Sequence, residues 1–299
     1  NAFGLPTWLA RFDFVLDATG HIRMVEINAD TPCFLVESFY ANGVAAAYDG
    51  RRDPNEGTRA QLRDFLTRIH NRLAAPIADL RRQTLTHRPF VFSCFDDYPE
   101  DLATTLFLMR TMQEGVPHGD IRFLSFYEME IDEQGIPLTD SRYAAALYRL
   151  HPMEILIDER TPDGEPLGAM FLDLYKEGAF ALMNPPEAIL LQNKSFMALV
   201  YALARTEQFL TPAECALVER YLVPSYFEED FTALKDGTYI RKEIWGREGK
   251  HVRLVEKRDG HAETIHEKQP DNADEIICRP SRAAMYQDFI RQPRFVHTV

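Results

Sequence analysis

Several short patterns in this chain bring together residue types that do chemistry. Arg11-x-Asp13 and Glu26-x-Asn28 each put two polar side chains on alternate positions of an extended run. Residues i and i+2 of a strand share a face, so Arg11 sides with Asp13 and Glu26 with Asn28. If the two runs pair with those faces aligned, two carboxylates, an amide oxygen and a guanidinium converge. Carboxylate and amide oxygens are hard ligands, suited to Mg²⁺ rather than zinc. Mg²⁺ completes its shell with waters and phosphate oxygens, which with one arginine suits the reacting end of a nucleoside triphosphate. A solvated hairpin accounts for the same pattern. Asp30-Thr31-Pro32 follows, with Thr31 biased to extended backbone by the proline; its hydroxyl either meets a ligand or finishes a turn.

Lysines supply the complementary charge. Lys194, in Leu191-Gln192-Asn193-Lys194, stands at the start of an apolar helix, where anions are favoured. A snorkelling surface lysine fits there as well. Lys242 lies on a strand that runs into Trp245-Gly246-Arg247-Glu248-Gly249. Glycines let backbone N–H groups approach phosphates, and a strand lysine reaches the same phosphates as a point charge. An ordinary glycine hairpin is the plain alternative. The loop is not a Walker A loop, whose lysine follows its glycines, and there is no G-x-G-x-x-G. Tyr286-Gln287-Asp288-Phe289-Ile290 is an apolar strand end breaking into polar residues, where a base can bond to exposed backbone or a strand can simply stop.

The elements that position these residues are readable from periodicity. Arg11–Leu16 and Ile22–Ile27 flank turn chemistry at Asp17 to Gly20 and read as a hairpin. Glu56–Gln83 is helical, with Leu62, Phe65, Leu66, Ile69, Leu73, Ile77 and Leu80 on one face. Pro89–Phe95, Glu100–Glu114 and Ile121–Tyr127 make a βαβ unit. That places Asp96 and Asp97 at the carboxyl end of a strand, where open α/β sheets hold ligands. Tyr143–Ile157 reads as helix, as does the run from Asn184-Pro185-Pro186 to about Ala204. Thr211-Pro212-Ala213-Glu214 is a capping box opening a further helix. After Lys235, short runs at Tyr239–Lys242, Val252–Lys257, Ala262–Ile265 and Glu275–Arg279 read as an antiparallel sheet. A boundary near residues 175–185 divides the chain into 1–180 and 181–299.

Composition excludes several classes. The 299 residues are 45% apolar and 26% charged, which is globular. With 33 basic and 46 acidic side chains the formal charge is −13, a poor footing for general nucleic-acid binding. The longest apolar stretch, Phe196–Ala204, is far short of a membrane span. Cys33, Cys94, Cys215 and Cys278 show no Cys-x-x-Cys spacing and read as free thiols of a reducing cytosol.

Taken in order, Arg11-Phe12-Asp13, Glu26-Ile27-Asn28-Ala29-Asp30-Thr31-Pro32, Asn184-Pro185-Pro186 with Gln192-Asn193-Lys194, and Lys242 with Gly246-Arg247-Glu248-Gly249 resemble the glutathionylspermidine synthase family. The likeness is to its stand-alone synthetase-type members without an amidase domain. It implies an α+β, ATP-grasp-like fold, with a βαβ-containing substrate subdomain and a mainly antiparallel nucleotide-binding subdomain. It also implies ATP-driven joining of a carboxylic acid to an amine through an acyl phosphate. The acid expected is glutathione-like and the amine a polyamine. The family pattern makes Asp13, Glu26 and Asn28 the Mg²⁺ ligands and Arg11 the residue steadying the transferring phosphoryl group. Lys194, Lys242, Gly246 and Glu248 fall at the ATP phosphates, and Gln287, Asp288, Phe289 and Ile290 at the adenine. Thr31 falls near the acid, and Asp96 and Asp97 toward the substrates. The same resemblance makes the 299 residues the central part of a longer enzyme. An ATP-dependent phosphotransferase and a non-catalytic nucleotide-binding module are the competing readings.

Overall fold

The structure is a computed structural model that describes residues 4–80, 89–206, 208–247, 249–267 and 283–292. The chain divides into two compact units, one formed by residues 1–11 and 29–188, the other by 12–28 and 189–299. The hairpin β1 (Arg11–Leu16) and β2 (Ile22–Asn28) is thus an excursion out of the first unit, and from Phe12 to Asn28 it is part of the second.

In the first unit, a π-helical turn at Glu37–Ala41 leads into α1 (Asn42–Tyr48). The long α2 (Thr58–Leu80) follows, then β3 (Phe90–Ser93), α3 (Pro99–Gly115) and β4 (Ile121–Phe123). β5 (Ala146–Arg149), α4 (Met153–Leu156), α5 (Leu167–Lys176) and β6 (Ala181–Met183) complete it. The four strands form a parallel sheet in the order β4-β3-β5-β6. The chain goes from β3 outward to β4 and then returns to the other side of β3, so the sheet has a switch point between β3 and β5. Leu62, Leu66, Ile69 and Leu73 of α2 pack with Phe90, Phe92, Leu108, Met112 and Tyr148 in one core.

One expected helix is a strand. Within Tyr143–Ile157, residues Ala146–Arg149 pair with β3 and β6 and are buried throughout. Alanine favours helix locally. Here the position between two parallel neighbours decides, because β3 and β6 supply the backbone hydrogen bonds on both edges. Only the end of that stretch, Met153–Leu156 behind Pro152, is helical.

Arg149 carries the main buried charge of this unit. Its Nη2 donates to Asp30 Oδ1 at 2.5 Å and its Nη1 to Oδ2 at 3.1 Å, with both side chains fully buried. Nη1 also donates to the His151 carbonyl, and the Met153 N–H donates to Asp30 Oδ2 at 2.7 Å. A bidentate pair with these additional partners satisfies the desolvated carboxylate.

The second unit begins with α6 (Ala188–Gln192), α7 (Ser195–Thr206) and α8 (Pro212–Tyr221). Thr211 and Glu214 form the expected capping box at α8. The expected continuous helix from Asn184 is broken, because Asn193 Oδ1 accepts from the Ser195 N–H at 2.9 Å and starts a new helix there. Next come β7 (Ser225–Phe227), β8 (Gly237–Glu243), β9 (Arg253–Arg258), β10 (His261–Glu267) and β11 (Ala284–Asp288). They form an antiparallel sheet ordered β10-β9-β8-β11-β7. The run Glu275–Arg279 and Cys278 lie outside the described residues. Cys33, Cys94 and Cys215 are free thiols. Among the described residues no helix is long and apolar enough to cross a membrane.

Because Asp30 is sealed from water, Arg149→Met is expected to strand a buried carboxylate and destabilise the protein by about 3–5 kcal/mol. Adding Asp30→Asn should recover much of that loss. Urea denaturation of the two single variants and the double variant measures both effects.

Candidate functional site

The second unit brings most of the charged candidates into one place. Lys194, at the break between α6 and α7, is buried, and its N–H bonds to the Ile244 carbonyl at 3.0 Å. Its ammonium donates to Glu26 Oε1 at 2.6 Å and to the Gly246 carbonyl at 2.7 Å. Lys242, on β8, donates to the Val25 carbonyl at 3.3 Å. Asn28 Nδ2 donates to Asp13 Oδ2 at 3.2 Å, so the first and second hairpin strands do converge at their polar residues. The exposed positions of β1 are its apolar ones, Phe12, Phe14 and Leu16, while Arg11, Asp13 and Val15 are partly covered.

Lys242 shows what this crowding costs. Burial pulls its pKa down to about 8, the nearby Lys194 pulls the same way, and only Glu26 and Asp13 oppose them. Two ammonium groups share a desolvated place that two carboxylates compensate in part.

The loop after β8 is a tight turn. The Gly246 N–H donates to the Glu243 carbonyl at 3.0 Å, and its own carbonyl is taken by Lys194. A side chain at Gly246 would stand 3.3 Å from the Glu243 carbonyl oxygen, closer than nearly all real contacts. Glu248 lies outside the described residues.

At the end of β11, Gln287 is buried, and its amide donates to the Val25 carbonyl at 3.2 Å and Ser225 Oγ at 3.1 Å. The Asp288 and Phe289 N–H groups donate to Pro224 and Thr238 carbonyls at 3.0 and 3.1 Å. Desolvation raises the pKa of Asp288 above the usual carboxylate range, against the opposing effect of a Tyr226 hydrogen bond. Phe289 is exposed and Ile290 half-buried.

The remaining candidates belong to the first unit. Arg11 lies at its edge, with its guanidinium 5.9 Å from the centre of the Phe34 ring. Thr31 is buried beside Asp30. Asp96 and Asp97 follow β3 at the switch-point end of the sheet. Asp96 accepts from Ser125 Oγ at 2.7 Å, and Asp97 accepts from the Tyr127 hydroxyl at 2.9 Å, which raises the Tyr127 pKa. Phe95 packs against Phe126, Tyr127 and His151 with ring centres 5.0–5.3 Å away. His151 Nε2 lies 2.7 Å from Glu159 Oε1. Sequence reasoning passed over His151 and Arg149, since neither sits in a spacing that marks it; only the parallel sheet brings them to the ends of β3 and β4.

The hairpin donor set fits a hard divalent cation. Asp13 and Asn28 already touch, and rotating the Asn28 amide presents its oxygen in place of its nitrogen. Among the described residues no group of three or more His, Cys, Asp and Glu forms a metal site. Asp13 and Asn28 offer hard oxygen donors side by side, while the Glu26 carboxylate is engaged by Lys194.

The first unit thus carries a switch-point parallel sheet, and the second an antiparallel sheet whose strand lysine bonds to the hairpin backbone. The chain belongs to the glutathionylspermidine synthase preATP-grasp family, whose profile matches residues 4–298. Among solved structures it is similar to a glutathione synthetase-like effector from Globodera pallida. The two share 11% identity over 94% of this chain and 60% of that one, with a TM-score of 0.50. It is also similar to a putative gamma-glutamylcysteine synthetase from Methylobacillus flagellatus, at 10% identity over 96% of this chain and 69% of that one, with a TM-score of 0.49. This chain therefore spans 60% of the length of the Globodera protein.

The depressed pKa of Lys242 makes a linkage prediction. Between about pH 8 and the usual lysine value the folded state holds fewer protons than the unfolded state, so stability rises with pH across that window. Lys242→Met should stabilise the protein at pH 7 by about 1–2 kcal/mol, discounted because the side chain keeps some exposed surface. The difference between variant and wild type should shrink toward pH 10. Urea denaturation of both proteins at the two pH values measures it.

Proposed function

We propose that this chain belongs to an ATP-dependent ligase that joins a carboxylic acid to an amine. The observation that carries the reading is the convergence of Lys194 and Lys242 with Glu26, Asp13 and Asn28 inside one unit. Family membership supports it, because glutathionylspermidine synthesis is amide formation at the expense of ATP.

In this reading the ATP phosphates occupy the place of the two ammonium groups. Phosphate oxygens give Lys194 a new partner and release Glu26, which then joins Asp13 and Asn28 as an oxygen ligand. Mg²⁺ held there would neutralise charge on the β- and γ-phosphates. Phosphate beside Lys242 raises its pKa from about 8 and holds the side chain in its charged form. Gly246 keeps the turn close, and Gln287 to Ile290 edge the base. The acid's carboxylate oxygen attacks the γ-phosphorus in line and the bond to ADP breaks. Arg11 steadies the transferring group, whose charge spreads over its equatorial oxygens. The amine nitrogen then attacks the acyl carbon, loses a proton, and inorganic phosphate leaves.

Thr31 and the acidic loop at Asp96 and Asp97 serve the two small-molecule substrates. Asp96 and Asp97 sit beside Phe95 and Tyr127, so a cationic amine meets both carboxylates and aromatic faces. Glutathione-like acids and polyamines are the first substrates to offer.

Asp13→Ala should lower acid- and amine-dependent ADP release by about a hundredfold or more, on the scale of losing a charge-stabilising group. Its circular dichroism should match the wild type. Mass spectrometry of the products decides the reaction class. An amide with stoichiometric ADP and phosphate supports the ligase, whereas a stable phosphorylated product sinks it.

A further inference from the structure

Among the described residues, Asn184 bonds to the Trp8, Leu9, Ala29 and Asp30 backbone, at the root of the hairpin. Its Oδ1 accepts from the Trp8 and Leu9 N–H groups at 3.0 and 2.9 Å. Its Nδ2 donates to the Leu9, Ala29 and Asp30 carbonyls at 2.7, 2.9 and 3.0 Å. A primary amide has two donor hydrogens and one acceptor oxygen, so this inventory is full. Asn184 itself is buried, as are Ala29 and Asp30.

These partners have a topological meaning. The chain leaves the first unit after Arg11, two residues beyond Leu9, and returns at Ala29. One side chain therefore bonds the outgoing and the returning segment to each other. Thr7 adds a second tie, with Oγ1 donating to the Ala29 carbonyl at 2.7 Å and sharing the Leu9 carbonyl at 3.2 Å. Asp30 is fixed by Arg149 and the Met153 N–H. Asp13 lies four residues beyond Leu9, and Asn28 immediately precedes Ala29. Closing the root reduces the conformations open to the hairpin and narrows the range of Asp13–Asn28 separations.

We infer that Asn184 is a positioning residue: its amide closes the base of the hairpin and thereby holds Asp13, Glu26 and Asn28 in their cation-binding arrangement. The first part stands on hydrogen bonds alone. The second rests on the reading of those three residues as metal ligands.

Asn184→Asp keeps the shape and the acceptor but replaces the donors with charge facing three carbonyls. Thr7→Val removes one tie and leaves the amide intact, a milder change should Asn184→Asp fold poorly. Hydrogen exchange is measured residue by residue, and Mn²⁺ binding by electron paramagnetic resonance in the presence of ATP. In Asn184→Asp, exchange of amides in residues 11–28 should quicken about tenfold or more, the scale of a lost buried hydrogen bond, while β3 and β5 amides keep wild-type rates. Thr7→Val should shift the same amides by less. Mn²⁺ affinity should fall at least about fivefold in Asn184→Asp.

Unchanged hairpin exchange in both variants overturns the inference. So does acceleration spread evenly through the first unit, which marks Asn184 as a general structural residue. Selective hairpin acceleration with unchanged Mn²⁺ affinity overturns its role in positioning. Failure of the metal reading looks different: wild-type protein would bind Mn²⁺ no better than Asp13→Ala, whatever the exchange pattern at Asn184.

Discussion

The second unit is organised around an imbalance of buried charge. Lys194 can be buried because Glu26 and the Gly246 carbonyl neutralise and solvate its ammonium. Lys242, close by, is desolvated beside Lys194, and its pKa falls to about 8 despite Glu26 and Asp13. Much of the local architecture follows from accommodating these two cations. The break between α6 and α7 places Lys194, and the Gly246 turn supplies it with a carbonyl. β2 brings in Glu26 together with the Val25 carbonyl that receives both Lys242 and Gln287. A hydrophobic replacement would pack there at lower cost. Retaining two lysines there therefore costs stability, the exchange often seen between stability and function.

The parallel sheet of the first unit solves a different problem. Its central strands β3 and β5 are short and buried at every position, and Ser93 and Arg149 stand at their last residues. β3 and β4 are parallel neighbours, so the loops after them leave the same end of the sheet side by side, which is why Asp96 reaches Ser125 and Asp97 reaches Tyr127. Arg149 stands at the last residue of β5, where its guanidinium still meets Asp30 while its backbone belongs to the sheet. Sheet and polar end are thus locked by the same residue.

Much of this was legible in the residues. The hairpin runs, the βαβ unit and the Thr211–Glu214 capping box are local patterns whose physics is local, and they appear where their periodicities put them. Asp13 and Asn28 were readable as partners because strand alternation and a hairpin turn are enough to bring them near. Ala146–Arg149 was not, since three alanines favour helix and only two neighbouring strands, distant in sequence, overrule them. The pairing of Lys194 with Glu26 spans 168 positions, so no spacing rule carries it. Gln287 was read at the edge of a base site, and the structure shows its amide tied inward to Val25 and Ser225.

The hairpin inverts the usual pattern of a half-buried strand, and the inversion has a physical reason. In β1 the partly covered face holds Arg11 and Asp13 while Phe12 and Phe14 are about half exposed. Hydrophobic burial alone would choose the opposite face, because each phenyl ring turned inward gains more than a partly desolvated carboxylate. The orientation is held instead by polar contacts: Asn28 on Asp13 within the hairpin, and Asn184 and Thr7 at its root. A slip of one residue would exchange the two faces and carry Asp13 away from Asn28. Specific hydrogen bonds at the base therefore do what hydrophobic patterning does elsewhere, and they leave the polar residues of β1 on the covered face.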